Sequence, residues 1–479
     1  MCVKVSLSST SMQSLDAAKA ISDLKPNAAD LLITSTLTSM VADLGVITPT
    51  SGALLTYFDS ELNSPQTIDA YFVAPKEFGG DDLNQNKIAI AYGGYVETCT
   101  GVNTFAIPGI YKLMDYIYQK KASLPLEVLF EYPISIAKEG FKLNETSKEY
   151  LGYTLDSLFS INEEALNTFK VFKEDGLDDG IIKLEKLADT YTHMSNKGFN
   201  EFNSGDIAKE LSKTIKEGGG HATFDDFNSY ELIHDSIFDY KFNNINIYGH
   251  KGPSIGGLMV LKYLNALTSS NDNLEETLLN VYLERKQNFE IFENRSSLVK
   301  QEIEKLSSSP STIQISTSDT DNNHYSITFS SGYGSGVICK RTGMFFNNSL
   351  GEIELNPQGF LGNTYSERLI SNMSPLIVSN KDSIYALGSP GADRISTALA
   401  QVIYNYINNN DWSTAISKPR FHVNQDGSVR AEPESIEDNK NVTFTNLNDM
   451  YFGGVCVTGI NDDVVAYGDK RRGDINWTN

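Results

Sequence analysis

A Ser-rich run, LSSSPS, ends abruptly at Thr312, and the residues that follow, TIQISTSDTDNNHYSITFSS, alternate in the manner of a strand hairpin. A Thr placed first on a strand after a polar loop can attack the carbonyl that precedes it. The ester so formed hydrolyses between Ser311 and Thr312 and leaves a new N-terminal Thr. Its α-amine, with an ordinary pKa of about 7.7–8.0, can take the proton of its own hydroxyl, so no histidine is required. Strands also commonly begin with Thr, and the pattern alone leaves both readings open. A second feature lies in IYALGSPGADRISTALAQVIYNYI, which reads as strand, glycine turn and helix. Backbone N–H groups at such a turn, backed by a helix N-terminus, suit a developing anion. It is equally an ordinary strand-to-helix turn, and it lacks the Lys-Ser/Thr of a P-loop.

Other chemistries find little support. There is no GxSxG, and His193, His221, His234, His250, His324 and His422 form no ligand-like spacing. Cys2, Cys99, Cys339 and Cys456 make neither CxxC nor CxxH. The Asp319-x-Asp321-x-Asn323 spacing meets His324 where a calcium loop needs Gly, and Ser330 where it needs Glu. Neither a metal nor a cofactor is expected.

The elements that must position these groups follow from periodicity. Apolar residues from Ser14 to Asp43 recur at helical spacing, with Pro26-Asn27 dividing two tandem helices. Leu54 to Phe72 and Ile88 to Val96 read as strands, and residues 110–245 as mostly helical. A polar stretch from about Glu284 to Pro310 leads into a hairpin with strands over 312–318 and 324–330. A chain of 479 residues is long for one core of roughly 100–200 residues, but a large two-layer α/β domain reaches it. The 40% hydrophobic and 21% charged content is that of a soluble globular enzyme. A net charge of −22 disfavours nucleic acid or an anionic membrane as partner, since either needs a basic face. The first residues lack an apolar h-region and no stretch is apolar for about 18 residues, so a cytoplasmic, reduced setting is expected.

The order of motifs resembles the γ-glutamyltransferase family over nearly the whole chain. PNAADLLITSTLTSMVADLGVITP is similar to the family's GGNAxDAAxA helix and the segment after it. AIPGIYKLM with LPLEVLFEYPISIAKEGFKLN resembles VPG…LPW…PAIxLAxxGF, and FNEFNSGDIAKELSKTIKEGGGHATFDDFNSYELI resembles FYxGxIAxxIVxxxxxxGGxLTxxDLxxY. YGHKGPSIGGLMVLKYLNAL is similar to PPPSSGGxxLxxxLNxL, and TIQISTSDTDNN to the TTHxSVVDxDGN strand that opens the family's small subunit. YGSGV, FFNN, SNMSPLIV, LGSPGADRI, KPRFH and GDKRRGD continue the series in order. The resemblance implies an α+β fold, the four-layer αββα sandwich of N-terminal-nucleophile (Ntn) hydrolases. It implies one domain over 1–479, divided by self-cleavage into a large subunit, 1–311, and a small subunit, 312–479.

Carried over position by position, the resemblance makes Thr312 the nucleophile and Ser330 the hydroxyl that assists it. Gly391 and Ala392 match the paired glycines of the oxyanion hole, with Ala392 a departure that keeps its N–H. The family's substrate-binding Arg falls on Tyr71 and its neighbouring Glu on Phe72, in YFVAP. A Tyr cannot form the bidentate charged pair of a guanidinium with a carboxylate. No Arg precedes Arg285, which leaves Lys76 as the close cation. Glu352 matches the Asp that holds the substrate amine, although a solvated loop acid reads as well, and Ser371 and Asn372 match two substrate-binding serines. Between Ser330 and Tyr333 the chain is two residues shorter than the family and loses an Asn; Ile313 and Gln314 replace a Thr and a His. Asp469, Arg471 and Arg472 read as structural ion pairs.

The expected activity is an acyl-enzyme at Thr312 that passes its acyl group to water or an amine. Tyr71 and Phe72 point to a less charged small-molecule amide than glutathione, such as an intermediate of specialised-metabolite assembly. Two alternatives stand beside this: a γ-glutamyl hydrolase or transferase with a rebuilt pocket, and an uncleaved, non-catalytic binding protein.

Overall fold

The computed structural model describes residues 3–77, 87–90, 96–252, 254–269, 276–281, 283, 312–352, 368–424, 426–436 and 441–479. Ser311 and the polar stretch before it lie outside the described residues.

The alternating run after Thr312 forms the strands Thr312–Asp319 and His324–Ser330, within a residue of the expected bounds. They pair antiparallel with Thr312 opposite Ser330 and Ser318 opposite His324. Asp319 shapes the turn between them, its carboxylate accepting the N–H groups of Asp321, Asn323 and Ala28. Around this hairpin grows a seven-stranded sheet in the order Ile475–Thr478, Val5–Ser9, Thr312–Asp319, His324–Ser330, Gly52–Asp59, Ser64–Ala70, Ile233–His234. A six-stranded sheet runs Asp463–Tyr467, Cys456–Asn461, Ile384–Gly388, Leu376–Ser379, Ile245–His250, Ile237–Phe242. The helical reading of 110–245 holds to Asn228 and then gives way to strands, as the chain joins an edge of each sheet.

Side-chain alternation assigns the faces. Ile313, Ile315, Ile327 and Phe329 share an apolar cluster with the tandem helices Met12–Ile21 and Ala28–Ala42. All 15 residues of Ala28–Ala42 are buried, and Asn27 caps it in a reciprocal box with Asp30. On the other side Leu376, Val378, Leu387 and Val457 pack with the helices Gly256–Ser269 and Arg394–Asn409. The architecture is therefore the α+β sandwich, helices outside two facing sheets, that the motif order implied.

Between the sheets the seam is largely polar. Ser318 Oγ donates to Thr458 Oγ1 (2.9 Å), Ser326 Oγ to the Leu387 carbonyl (2.8 Å) and Thr56 Oγ1 to the Pro375 carbonyl (2.7 Å). These three buried hydroxyls are stable here because each finds a partner across the gap. His324 belongs to the same seam, with Nδ1 2.8 Å from Ser318 Oγ and Nε2 3.0 Å from Asn322 Oδ1. Burial pushes its pKa down to about 3 and that of His250 down to about 4. Both are neutral in the fold, so the stability they confer is complete above the unfolded value of about 6.5 and is lost as pH falls toward the folded values. Burial lifts Asp43 up to about 6, which acts in the opposite sense and restores stability between pH 6 and 4. His324→Gln is expected to flatten the acid limb of stability against pH between 6.5 and 4.5 by up to ~1.4 kcal/mol per pH unit. Urea midpoints across that range measure it, and parallel limbs for the two proteins would refute it.

Near the C-terminus four charged side chains are wholly enclosed. Arg420 Nη2 lies 2.6 Å from Asp469 Oδ2, and Arg471 bridges Asp469 Oδ1 (3.2 Å) and both oxygens of Glu432. Burial pushes the Asp469 carboxyl upward, but the two guanidinium groups outweigh it and hold it below the usual range. Asp469 and Arg471 are thus structural ion pairs, as their motif led us to expect. Asp469 Oδ2 also accepts the Val455 N–H (2.9 Å), which ties the cluster to the strand Cys456–Asn461.

Candidate active site

The residues with chemical potential meet at one end of the sheets. Thr312 opens its strand, Ser330 closes the partner strand directly opposite, and Gly52 begins the next strand opposite Ser330. Ala53 pairs with Ala70, so the row continues toward Tyr71. Gln314, Ser316 and Ser318 turn to the facing sheet while Thr317 donates to the Ala28 carbonyl in the helix layer (2.8 Å). Thr312, in step with Gln314, therefore presents its side chain to the seam between the sheets. It is 6% exposed, and among the described residues no hydrogen bond ties down its hydroxyl. Ser330 Oγ accepts the Gly332 N–H at 3.2 Å. Glycine is needed at position 52 because a Cβ there would lie 2.9 Å from the Phe72 ring and 3.1 Å from that of Tyr71. The two rings, crossed at 65°, close over Ser330's neighbour.

Gln314 faces the other sheet at this end while bonding within its own. Its amide donates to Ser316 Oγ and Ser326 Oγ and accepts from Thr328 Oγ1 (2.5 Å). It lies so near Gly388 that a Cβ there would sit 2.2 Å from Oε1. Beyond Gly388 the chain turns through Ser389, Pro390, Gly391 and Ala392 into the 16-residue helix Arg394–Asn409. Gly391 has φ +127° and Ala392 φ +53°. Gly391 is buried, yet among the described residues no acceptor takes its N–H or that of Ala392. Buried N–H groups are seldom left unused, and two at a helix N-terminus make a seat for an anion. Ala392 holds a left-handed conformation that costs an L-residue roughly 1–2 kcal/mol, against ~0.4–1 kcal/mol of unfolded-chain entropy that a Gly would add. Ala392→Gly is therefore expected to keep its rate within a few-fold and to gain up to about 1 kcal/mol in denaturation. A clear loss of stability would contradict the strain.

The pocket residues divide. Glu352 is 2% exposed rather than solvated, and its carboxylate lies against Gly332, where a Cβ would come within 2.8 Å of Oε2. It thus borders the turn that follows Ser330. Ser371 and Asn372 lie before the strand Leu376–Ser379; the Ser371 carbonyl accepts from Ile255 N and Ser254 Oγ, and its Oγ from Met373 N. The first two bonds pin the segment to Ser254 and Ile255.

At Tyr71 a cation arrives from far along the chain, one that spacing did not reveal. Leu369 N donates to the Phe72 carbonyl, and Arg368 forms a bridge with Val73. The Arg368 guanidinium meets Asp69 Oδ1 at 3.2 Å and donates to the carbonyls of Tyr71 (2.8 Å) and Glu231 (2.7 Å) and to Tyr230 Oη. Burial pushes the Asp69 carboxyl above its usual range while Arg368 draws it back. Arg368 thus lies beside the Tyr71 backbone but is engaged by acceptors of its own. Elsewhere, His193, Glu201 and Asp206 converge on an outer helical corner; Glu201 there accepts from the Asp206 N–H and Lys209 pairs with Asp206, which accounts for the grouping. Among the described residues no helix is long and apolar enough to cross a membrane.

The family profile described as Gamma-glutamyltranspeptidase matches residues 17–287 and 273–472. A glutathione hydrolase proenzyme of Bacillus subtilis subsp. natto is 22% identical across 88% of this chain and 84% of its own. Scoloptoxin SSD14 of Scolopendra dehaani is 25% identical across 79% and 75%. The crystal structure of cephalosporin acylase from Bacillus halodurans superimposes with a TM-score of 0.79 over 100% of this chain and 96% of that one, at 16% identity, and shows the same fold.

Proposed function

Because this chain belongs to the gamma-glutamyltranspeptidase family, and is an Ntn-type amidohydrolase or transferase, we propose that Thr312 is both the agent of its maturation and its nucleophile. The observation that carries this reading is the placement of an untethered Thr312 hydroxyl opposite Ser330, at the end of the seam where the Gly391-Ala392 turn leaves two N–H groups uncommitted. In maturation Oγ attacks the carbonyl carbon of Ser311. The peptide nitrogen leaves as the Thr312 α-amine, and water hydrolyses the ester to free the Ser311 carboxylate. In turnover that amine takes the Oγ proton, Oγ attacks the amide carbonyl, and the oxyanion is received by the Gly391 and Ala392 N–H groups. The proton passes to the departing amine, and water or a second amine then releases the acyl group.

The donor we propose is an amide whose acyl part carries no α-carboxylate. Tyr71 and Phe72 are buried where the family's arginine and glutamate would fall, and Arg368 is engaged by Asp69 and the carbonyls of Tyr71 and Glu231. An aromatic or aliphatic acyl group fits that lining, and a role in specialised-metabolite assembly is part of the same reading. Buried thiols at Cys99, Cys339 and Cys456 suit a reducing, cytoplasmic setting. A second reading, γ-glutamyl transfer, draws on Arg368 itself, which lines a cavity of about 270 Å³ with Lys76, Ile107 and Tyr230. Phenylacetyl-, hexanoyl- and γ-glutamyl-p-nitroanilide offered to the processed protein separate the two. Faster acylation by either uncharged donor supports the first, and preference for the γ-glutamyl compound overturns it.

A further inference from the structure

The oxyanion turn does not hold its shape alone. Ser389 is fully buried, and its Oγ makes two bonds at once, donating to the Pro390 carbonyl (2.8 Å) and accepting the Gly454 N–H (3.0 Å). The Gly453-Gly454 segment comes so close that a Cβ on Gly453, whose φ is +79°, would lie 2.6 Å from Ser389 Oγ and 2.7 Å from the Pro390 carbonyl oxygen. From the other side, a Cβ on Gly391 would lie 3.3 Å from Gly453 Cα. The start of the following helix is tied as well, since Arg394 Nε donates to the Tyr451 carbonyl (2.9 Å) and its guanidinium stacks 4.5 Å over the Tyr451 ring. Behind Gly454, Val455 is anchored to Asp469 of the enclosed charge cluster. The order of support therefore runs from Asp469 through Val455 and Gly454 to Ser389, and from there to the peptide planes of the turn.

We propose that Ser389 is a positioning residue for acyl transfer, its hydroxyl fixing the Pro390 carbonyl against Gly454 and so aiming the Gly391 and Ala392 N–H groups at the developing oxyanion. This rests on the reading of those two N–H groups as the oxyanion donors. The Pro390 carbonyl belongs to the peptide unit whose nitrogen is that of Gly391, so one hydroxyl sets the direction of the first donor. A misplacement of about 1 Å in such a site can cost ~10² in rate, although no atom of Ser389 touches substrate.

The test uses full-length processed protein and phenylacetyl-p-nitroanilide, with acylation of Thr312 followed by intact mass in single turnovers. Ser389→Ala is expected to slow acylation about 10- to 100-fold with KM changed less than about threefold. Ser389→Cys, which keeps a weak donor, should fall between the two. Hydrogen exchange of the peptide over 388–394 supplies a second readout independent of chemistry, and it should quicken in Ser389→Ala while the rest of the sheet is unchanged. An active wild type whose Ser389→Ala variant acylates at the same rate overturns the proposal and leaves the nucleophile reading intact. A rise in KM with an unchanged rate constant overturns it as well. Exchange unchanged over 388–394 removes the mechanical link, and a wild-type adduct anywhere but Thr312 removes the reading beneath it.

Discussion

Thr312→Ala is expected to run as a single band near 52.9 kDa in denaturing electrophoresis, and the wild type as two fragments divided before residue 312. Its amidase activity should fall by about 10⁴-fold or more, since on the proposed mechanism the same oxygen makes the site and then uses it. Thr312→Ser keeps the hydroxyl and loses a methyl group, so it should still divide and still turn over, more slowly. The pair separates loss of a nucleophile from loss of fold. If the Ala variant divides at the same bond, some other group attacks there. If it stays whole but retains full activity, Thr312 is only a strand residue.

The second large effect is on stability. Asp469→Ala would leave Arg420 and Arg471 enclosed without their shared carboxylate and would free the Val455 N–H as well. Removing one partner of a buried charge network typically costs ~3–5 kcal/mol, a large part of the ~5–15 kcal/mol that holds a folded domain together. Urea unfolding should be followed in the Thr312→Ala background, where a single chain unfolds and no dissociation is mixed in. A shift under about 1 kcal/mol would mean that water or rearrangement satisfies the two guanidinium groups. Because Val455 adjoins the support of the proposed oxyanion turn, variants here are also expected to lose rate before they unfold.

Local pattern made part of this legible. Alternation placed both strands of the 312–330 hairpin, and helical spacing with Pro26-Asn27 placed the tandem helices, because each signal sits in consecutive residues. Motif order brought Thr312, Ser330 and the Gly391-Ala392 turn to one architecture. What spacing could not carry is convergence between distant segments. Arg368 reaches Tyr71 across 297 positions, and nothing in its own neighbourhood marks it. Glu352 reads equally as a loop acid and as an amine ligand until Gly332 is seen pressed on its carboxylate. The role of Gly52 is likewise invisible in sequence, because the need for glycine arises from two rings packed from the next strand. Ser389 had a signal, its place in LGSPGADRI, but its partner Gly454 lies 65 positions on.

The seven-stranded sheet interleaves the chain on either side of Thr312. Val5–Ser9 lies between Ile475–Thr478 and Thr312–Asp319, and Gly52–Asp59 lies against His324–Ser330. If the chain is cut at that point as proposed, each of the two large sheets is shared between the pieces, and the assembled state has no covalent memory of how it was reached. Folding of the intact precursor is unimolecular; recovery of the mature enzyme after denaturation would require two chains to find each other and interdigitate. Such a cut would set a direction in time: the molecule would fold once, and its later persistence would depend on never fully opening.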